Sequence, residues 1–354
     1  MQTSRSPHLP VRPEWLAQVQ EPALEPQLPI VDAHHHLWDR PGNRYLLEEY
    51  LADIKQSGHR VVATVYAQCR TMFDSGRPAP LRSVGEVEFA NGVAACATSG
   101  LYGATRVNAG IIAGADLLLG RAVLPVLDEM RARAGRRLSG VRNTTAWHAD
   151  PGVVSNPSPP PPGILASAAF REGVACLAEH GLVLDIWAYH TQLAEIIDLA
   201  QAFPQQLMVV NHVGGPLGCG PYAGRRAEVF EQWAEHILCL AQCPNLRIKL
   251  GGLGMQVGGF ALDHEALPPG SAQLAELWAP YILHCIDAFG SSRCMFESNF
   301  PVDKGMVGYG VLWNTFKRIT ADLPAHARAD LFSTVATHTY SLQWPSDNAL
   351  AAAV

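Results

Sequence analysis

The sequence predicts an α/β fold, a single-domain (β/α)8 TIM barrel with an N-terminal arm. Short runs rich in Val, Ile and Leu alternate with longer, Ala-rich stretches that have helical periodicity. There are eight such runs within about 270 residues, close to the usual size of a parallel barrel ringed by helices. A doubly wound open sheet is the structural alternative, but the first run is not followed by the Gly-rich phosphate-binding turn typical of that fold.

The predicted strands are separated by enough residues for a helix between neighbours. The strands span residues 28–34, 60–69, 106–112, 138–143, 182–189, 206–212, 246–251 and 293–300. The predicted helices include residues 84–98, 118–134, 168–180, 191–203, 226–243 and 274–289. Because the carboxyl ends of all barrel strands meet at one face, we expect the chemistry to lie where these runs end.

The remaining segments divide the chain. Residues 1–27 are rich in Pro and Glu and predict an extended arm with a short helix near 13–19, followed by a barrel over 28–342 and a frayed tail over 343–354. Residues 150–163 contain SNPSPPPPG, which excludes regular structure and predicts either a lid over the catalytic face or a rigid surface spacer. Residues 251–269 begin GGLGMQVGGF and predict a flexible rim loop.

Composition limits the classes of partner. Hydrophobic residues make up 48% of the 354 residues and charged residues 16%, which predicts a substantial core. A net charge of −6 without any run of Lys or Arg argues against nucleic acid or a membrane and favours a small-molecule partner. Without a signal-like N-terminus or a membrane-length apolar run, we expect a cytoplasmic protein, whose eight cysteines would be reduced and mostly buried.

The first strand ends in IVDAHHHLWD, which concentrates imidazoles at the expected catalytic face. Because alternate residues of a strand share a face, Asp32, His34 and His36 are predicted to point one way and His35 the other. Two imidazoles two residues apart can bind one divalent metal or two oxygens of a substrate. A solvated turn is the alternative interpretation of the three histidines.

Two further strands end in residues suited to catalysis. The sixth, LMVVNHVGGP, ends at His212, and the glycines after it allow a close approach of the backbone. The eighth, CMFESNFPVD, places Glu297 and Asn299 on one face. A carboxylate there would be a natural general base or acid, although Glu297 could equally be a structural ion-pair partner.

The other strand ends supply candidate contacts to a substrate. Arg70 and Arg142 carry guanidinium groups, whose planar fork suits carboxylates; ion pairs at the barrel rim are the alternative role. Aromatic and imidazole side chains would complete the walls of the pocket. The full set of predicted substrate-binding residues is Tyr66, Arg70, Arg142, His148, Trp187 and Tyr189.

Three motifs, DAHHHLWD, NHVGGP and MFESNFPV, resemble signatures of the amidohydrolase superfamily. More narrowly, the chain is similar from about residue 28 to 342 to the amidohydrolase-2 group of TIM-barrel metal-dependent hydrolases, which includes sugar-lactone and 2-pyrone-4,6-dicarboxylate lactonases. The resemblance implies that His34, His36 and His212 bind a metal or polarise a carbonyl group directly. It also implies that an Asp on strand eight activates water. Asn299 stands at that position and cannot accept a proton at neutral pH.

The preferred hypothesis is hydrolysis of a lactone or carboxylic ester of a small organic acid. Glu297 would replace the missing Asp as base, with Zn²⁺ as the candidate metal and no organic cofactor. Two alternatives stay open: a metal-dependent non-oxidative decarboxylase or lyase acting on an aromatic or unsaturated acid, and a non-catalytic small-molecule binder. Since barrels of this kind often associate, a homo-oligomer is a further expectation.

Overall fold

The computed structural model describes residues 7–343, in which eight parallel strands form one sheet in the order β1-β4-β5-β6-β7-β8-β9-β10. A short antiparallel hairpin, β2 and β3, lies outside that sheet. The strands are β1 Ile30–His35, β2 Trp38–Arg40, β3 Asn43–Tyr45, β4 Val61–Ala67, β5 Arg106–Ala113, β6 Leu138–Thr144, β7 Val183–Trp187, β8 Met208–Val210, β9 Leu246–Leu250 and β10 Cys294–Phe296. Each predicted strand overlaps one strand of the sheet.

The sheet closes on itself between its first and last strands. The His36 N–H donates to the Phe300 carbonyl at 2.7 Å, and the Asn299 N–H donates to the His34 carbonyl at 2.9 Å. These hydrogen bonds connect β1 to the segment that follows β10. With helices between the strands, the architecture is the predicted (β/α)8 TIM barrel, which is confirmed.

The α-helices surround the barrel. They are α1 Pro13–Leu16, α2 Leu47–Ser57, α3 Val84–Thr98, α4 Leu124–Ala134, α5 Ala168–Glu179, α6 Leu193–Ala202, α7 Arg226–Ala241, α8 Ser271–Phe289, α9 Tyr309–Ile319, α10 Ala325–Ala329 and α11 Val335–Thr339. The helix predicted over 118–134 begins later, because Gly120 has a φ of 55° and the residues before Leu124 form a 3-10 segment. Within residues 7–343, no helix is both long and apolar enough to cross a membrane.

A bulge near the end of β1 changes which side chains face the barrel interior. Asp32 pairs with Thr64 of β4 but His35 pairs with Tyr66, so three residues of β1 are matched by two of β4. An extra residue of this kind reverses the alternation of faces. The prediction that Asp32 shares a face with His34 and His36 is therefore wrong.

Asp32 instead joins the barrel to its helix layer. Its carboxylate accepts hydrogen bonds from the Tyr50 hydroxyl at 2.7 Å and the Tyr309 hydroxyl at 3.0 Å. It also accepts from the Ser298 N–H at 2.8 Å. The side chain thereby stabilises the junction between β1 and the end of β10.

The described part of the arm, residues 7–27, packs along the helix layer. The Trp15 indole N–H donates to the Glu265 carbonyl at 3.1 Å. Glu21 accepts from the Ser271 N–H at 2.7 Å, at the first residue of α8, and from the Asn314 amide at 3.0 Å. Glu21 thus satisfies a backbone donor at a helix N-terminus, where negative charge is favourable. Of the predicted tail, residues 344–354 lie outside the described residues.

We expect Glu21→Gln to lower the free energy of unfolding at pH 7 by about 1–2 kcal/mol, the scale of hydrogen bonds to a charged group. Burial raises the pKa of Glu21, but the hydrogen bonds from Ser271 and Asn314 outweigh it, so the pKa lies below its usual value. The stabilisation should therefore be full above the unfolded-state pKa and fade as the pH falls below it. Urea unfolding at several pH values measures this.

The matched control is Glu14→Gln, at an exposed carboxylate of the same arm. Equal losses of stability for both variants, or a loss for Glu21→Gln that does not depend on pH, would contradict the proposed role.

Candidate active site

A cavity of about 310 Å³ opens at the carboxyl ends of the barrel strands. Its polar and aromatic lining includes His8, His36, Trp38, Arg40, Gln68, Arg70, Arg142, Trp187, His212 and Asn299. None of the described residues that line this cavity is acidic. A cavity with several guanidinium groups and no carboxylate in its wall is suited to an anionic ligand.

His34 and His36 reach the site because of the bulge in β1. The two Nε2 atoms are 3.2 Å apart, and both rings are buried. The His36 Nδ1–H donates to the Ala67 carbonyl at 2.7 Å, which leaves the lone pair of the neutral ring on Nε2. Burial lowers the pKa of both rings well below the usual value, helped by Lys249 and Arg142 at His34 and by Arg142 at His36. Both imidazoles are therefore neutral at physiological pH.

His34 lies between the side chains of Arg142 and Lys249. Arg142 Nη1 is 3.0 Å from His34 Nε2, and Lys249 Nζ is 3.2 Å from His34 Nδ1. The fully buried Lys249 is paired with Asp185, its Nζ lying 2.7 Å from a carboxylate oxygen. Asp185 also accepts from the Asn211 amide at 2.9 Å. These contacts form a fixed polar layer beneath the cavity.

His212 and Glu297 form a buried imidazole–carboxylate pair. Glu297 Oε1 accepts from the His212 Nδ1–H at 2.7 Å and from the His212 backbone N–H at 3.0 Å. Glu297 is fully buried and lies behind His212, whereas His212 lines the cavity. Burial lowers the pKa of His212, although Glu297 acts in the opposite direction. The pair therefore presents a neutral imidazole, with Nε2 available to the cavity.

Glycines after β9 and an unusual backbone allow this pair to form. His212 and the β-branched Val213 both have positive φ, at 56° and 47°, a strained conformation that recurs at functional sites. A Cβ on Gly251 would lie 2.5 Å from the Glu297 side chain, and one on Gly252 would lie 2.5 Å from the His212 ring. The start of the segment predicted as a flexible loop is instead buried against the His212–Glu297 pair.

Asn299 lines the cavity and has a buried partner of its own. Its amide Nδ2–H donates to Asp303 Oδ1 at 2.8 Å, which leaves the amide oxygen free to accept a hydrogen bond. Asp303 also accepts from the Gly254 N–H at 3.0 Å. Burial raises the pKa of Asp303 to about 8, despite both hydrogen bonds.

The mouth of the cavity is formed by the arm and the proline-rich loop. His8 of the arm stacks on Trp38 with ring centroids 5.9 Å apart, and Arg40 lies over the same indole at 4.1 Å. Ser155, on the proline-rich loop, accepts from the Trp187 indole N–H at 3.1 Å and is hydrogen-bonded to Tyr189. Of the two roles predicted for this loop, its position matches a cover over the catalytic face.

Three residues predicted to bind substrate lie outside the cavity. Tyr66 points into the helix layer and donates to Glu86 at 2.8 Å, because it pairs with the outward-facing His35. Tyr189 follows the end of β7 and lies behind Ser155. His148 contacts the Tyr222 hydroxyl at 3.2 Å instead. Arg70, Arg142 and Trp187 do line the cavity.

Sequence reasoning missed Lys249 and Arg40. Lys249 is flanked by Ile248 and Leu250 in the buried strand β9, and a lysine in such a run was the available signal. Arg40 follows the DAHHHLWD motif directly. His8 gave no local signal, because its position depends on how the arm crosses the barrel mouth.

Distances alone would allow a metal ion in this site. His34, His212 and Glu297 are buried and offer ligand atoms within 4.8 Å of one another. The 3.2 Å between His34 Nε2 and His36 Nε2 also suits two ligands of one zinc ion.

The charges beside His34 argue against an ion there. Each ring nitrogen already has a cation within 3.2 Å, Arg142 at one and Lys249 at the other, so a divalent ion would be strongly repelled. Of the two Glu297 oxygens, Oε1 accepts from His212, whereas Oε2 lies 3.2 Å from His34 Nδ1 and has no hydrogen-bond partner among the described residues. The site therefore offers a possible ligand set in His34, His212 and Glu297, and the positive charge of Arg142 and Lys249 beside His34 opposes a bound divalent ion.

We expect Gly252→Ala to lower the free energy of unfolding more than Gly42→Ala does. Both glycines have similar positive φ, +67° and +70°, so both variants carry the same backbone strain. Only Gly252 faces the His212 ring, whereas a Cβ on Gly42 would meet nothing within 4 Å. The difference should be about 1–3 kcal/mol, the scale of overpacking, as measured by urea unfolding. Equal losses would show that the close approach is not required.

Comparison with known proteins agrees with this architecture. A family model described as amidohydrolase matches residues 31–342. Protein y4mH of Sinorhizobium fredii is 32% identical over 325 residues, which cover 86% of this chain and 95% of y4mH. The L-fucono-1,5-lactonase of Burkholderia ambifaria is 28% identical over 181 residues, or 50% of this chain and 56% of the lactonase.

Among solved structures, an amidohydrolase from Burkholderia multivorans with bound zinc is similar in fold. The TM-score is 0.67 at 21% identity, with 89% of this chain and 99% of that chain covered. Since the family model spans most of the sequence, and the barrel carries the histidines of β1 and of the turn after β8 at one face, the chain belongs to the amidohydrolase family.

Proposed function

We propose that this protein hydrolyses a lactone or carboxylic ester of a small organic acid that carries a negative charge. The observation that carries the proposal is the buried His212–Glu297 pair, joined at 2.7 Å and placed at the wall of a cationic cavity. A carboxylate that accepts from Nδ1–H fixes the imidazole tautomer and leaves Nε2 as a general base. The lactonase relative named above gives additional support to this substrate class.

The reaction needs one base, one electrophile and a held water molecule. His212 Nε2 takes a proton from water while the water oxygen bonds to the carbonyl carbon. Arg142 stabilises the oxyanion that forms, because its guanidinium lines the cavity and is held by the Gln68 carbonyl and by His34. The Asn299 amide oxygen accepts the second water hydrogen. When the C–O bond breaks, His212 donates the proton that it took from water to the leaving alkoxide.

Glu297 has a different role from the one predicted from the sequence. It lies behind His212 and does not line the cavity, so it orients the imidazole and raises its basicity instead of contacting water. Because His212 takes the proton, an Asn at position 299 is compatible with hydrolysis. Asn299 needs only to accept a hydrogen bond from the water.

The anionic group of the substrate would bind Arg40 or Arg70. Arg40 is held by the Cys69 carbonyl at 2.8 Å and by the Trp38 ring. Within the described part of the chain, Arg70 forms no hydrogen bond or ion pair, so its guanidinium is available to a carboxylate.

Decarboxylation of an unsaturated acid is a second candidate. The described residues of the cavity wall include no carboxylate, and this favours decarboxylation. That reaction needs stabilisation of the negative charge that develops on the substrate more than it needs a carboxylate that takes a proton from water. Release of carbon dioxide without incorporation of ¹⁸O from labelled water would identify it. Incorporation of ¹⁸O into a carboxylate product would support hydrolysis.

We expect Glu297→Gln to lower kcat by about 10²- to 10⁴-fold, the scale of general base catalysis. Since Glu297 raises the pKa of His212, its removal should also shift the acidic limb of the kcat/KM profile to lower pH. A panel of carboxylated lactones and esters is first screened for the substrate that is turned over fastest. Measurements of kcat and kcat/KM on that substrate across a range of pH then test both effects.

The control is His148→Gln, at an imidazole outside the cavity, which should leave the rate and the pH profile unchanged. A Glu297→Gln enzyme with a wild-type rate, or with a reduced rate and an unmoved acidic limb, would contradict the role of the pair.

We further propose that hydrolysis proceeds without a bound metal, because Arg142 and Lys249 flank His34. Dialysis against EDTA should leave the rate of hydrolysis unchanged, and elemental analysis of the purified protein should show zinc well below one equivalent. Stoichiometric metal together with chelator-sensitive activity would overturn this and favour the metal-dependent form of the reaction.

A further inference from the structure

A second cavity of about 500 Å³ adjoins the one that contains the histidines. The two cavities adjoin at a boundary that carries two guanidinium groups, because both are lined by Gln68, Arg70, Arg142, Thr144 and Ser158. Each volume lies within the range of about 300–1,000 Å³ usual for small-molecule sites.

The second cavity is mainly apolar and is built by the loops that follow three neighbouring strands. Phe73 comes from the loop after β4, Leu118 from the segment after β5, and Ile164 from the loop after β6. Phe73 and Leu118 are large hydrophobic side chains that remain 41% and 36% exposed. Apolar side chains left exposed together beside a catalytic cavity are typical of a ligand-binding surface.

One wall of this cavity is preformed. Pro159, Pro160 and Pro161 line it, and proline fixes the backbone φ angle. Ser155 of the same loop is held by Trp187 and Tyr189. A wall that needs little ordering lowers the entropic cost of binding.

We infer that this second cavity binds an apolar aryl or alkyl substituent of the substrate, whose carboxylate is held at Arg70 between the two spaces. The inference rests on the proposed function and narrows it to amphipathic anions. The reacting carbonyl would lie near Arg142 and His212, and the substituent would contact Phe73 and Leu118. A short, wholly polar acid would leave this surface exposed to water.

Isothermal titration calorimetry with two non-hydrolysable dicarboxylates tests this. Methylsuccinate and 2-benzylsuccinate share both carboxylates and differ only in the apolar group. The benzyl compound should bind about 10- to 100-fold more tightly, the range expected for burial of one aromatic ring. Phe73→Ala and Leu118→Ala should lose much of that ratio while methylsuccinate affinity stays at the wild-type value.

Two further variants sharpen the measurement. Leu238→Ala, at a 50% exposed leucine of α7 away from both cavities, should leave the ratio unchanged. Arg70→Gln should weaken both ligands alike. Equal affinities in the wild type, no binding of either ligand, or equal effects of the Phe73 and Leu238 variants would overturn the inference.

Binding of these acids does not require hydrolysis, so the two proposals fail separately. A protein that binds benzylsuccinate selectively but hydrolyses no lactone or ester retains the cavity assignment and loses the reaction. A hydrolase that does not distinguish the two acids keeps the reaction and loses the second cavity.

Discussion

The site depends on the hydrogen bonds that close the barrel between β1 and the chain after β10. The backbone N–H of His36 donates to the carbonyl of Phe300, and that of Asn299 donates to the carbonyl of His34. These two hydrogen bonds bring together residues more than 250 positions apart in sequence. Asp32 reinforces this seam from the helix side by accepting from Ser298. If the ring were open at this point, the imidazoles of β1 and the carboxylate after β10 would belong to opposite edges of a sheet.

Closure of the barrel also places buried charged side chains next to partners of opposite charge or next to an imidazole. Burial lowers the pKa of His34, and it is helped by Arg142 and by Lys249, which is itself paired with Asp185. Glu297 is directed to His212, one of the imidazoles that line the cavity. In the proposed reaction, the cations of this layer would attract and polarise an anionic substrate, and His212 would serve as a base that stays neutral among them.

The sequence predicted the barrel and the convergence of His34, His36 and His212 at one face, since strand periodicity and βα alternation are local signals. The prediction of which side chains face the cavity failed where the regular alternation of strand residues is interrupted or the strand ends. The bulge in β1 turned Asp32 outward, and Tyr189 lies beyond the end of β7. The contact of Lys249 with His34 and the packing of Gly252 on His212 join distant strands, and no local pattern encodes such contacts.

Asn299 is better understood together with Asp303 than as a lost catalytic acid. The Asn299 amide donates to Asp303 at 2.8 Å in a site where Asp303 is fully buried. Burial already raises the pKa of Asp303 to about 8, and an Asp at position 299 would place a second carboxylate beside it that opposes its ionised form further. An amide avoids this conflict, because it supplies the donor that Asp303 needs and turns an acceptor toward water. The proton acceptor of the reaction can then be His212, whose partner carboxylate lies on the other side of the ring.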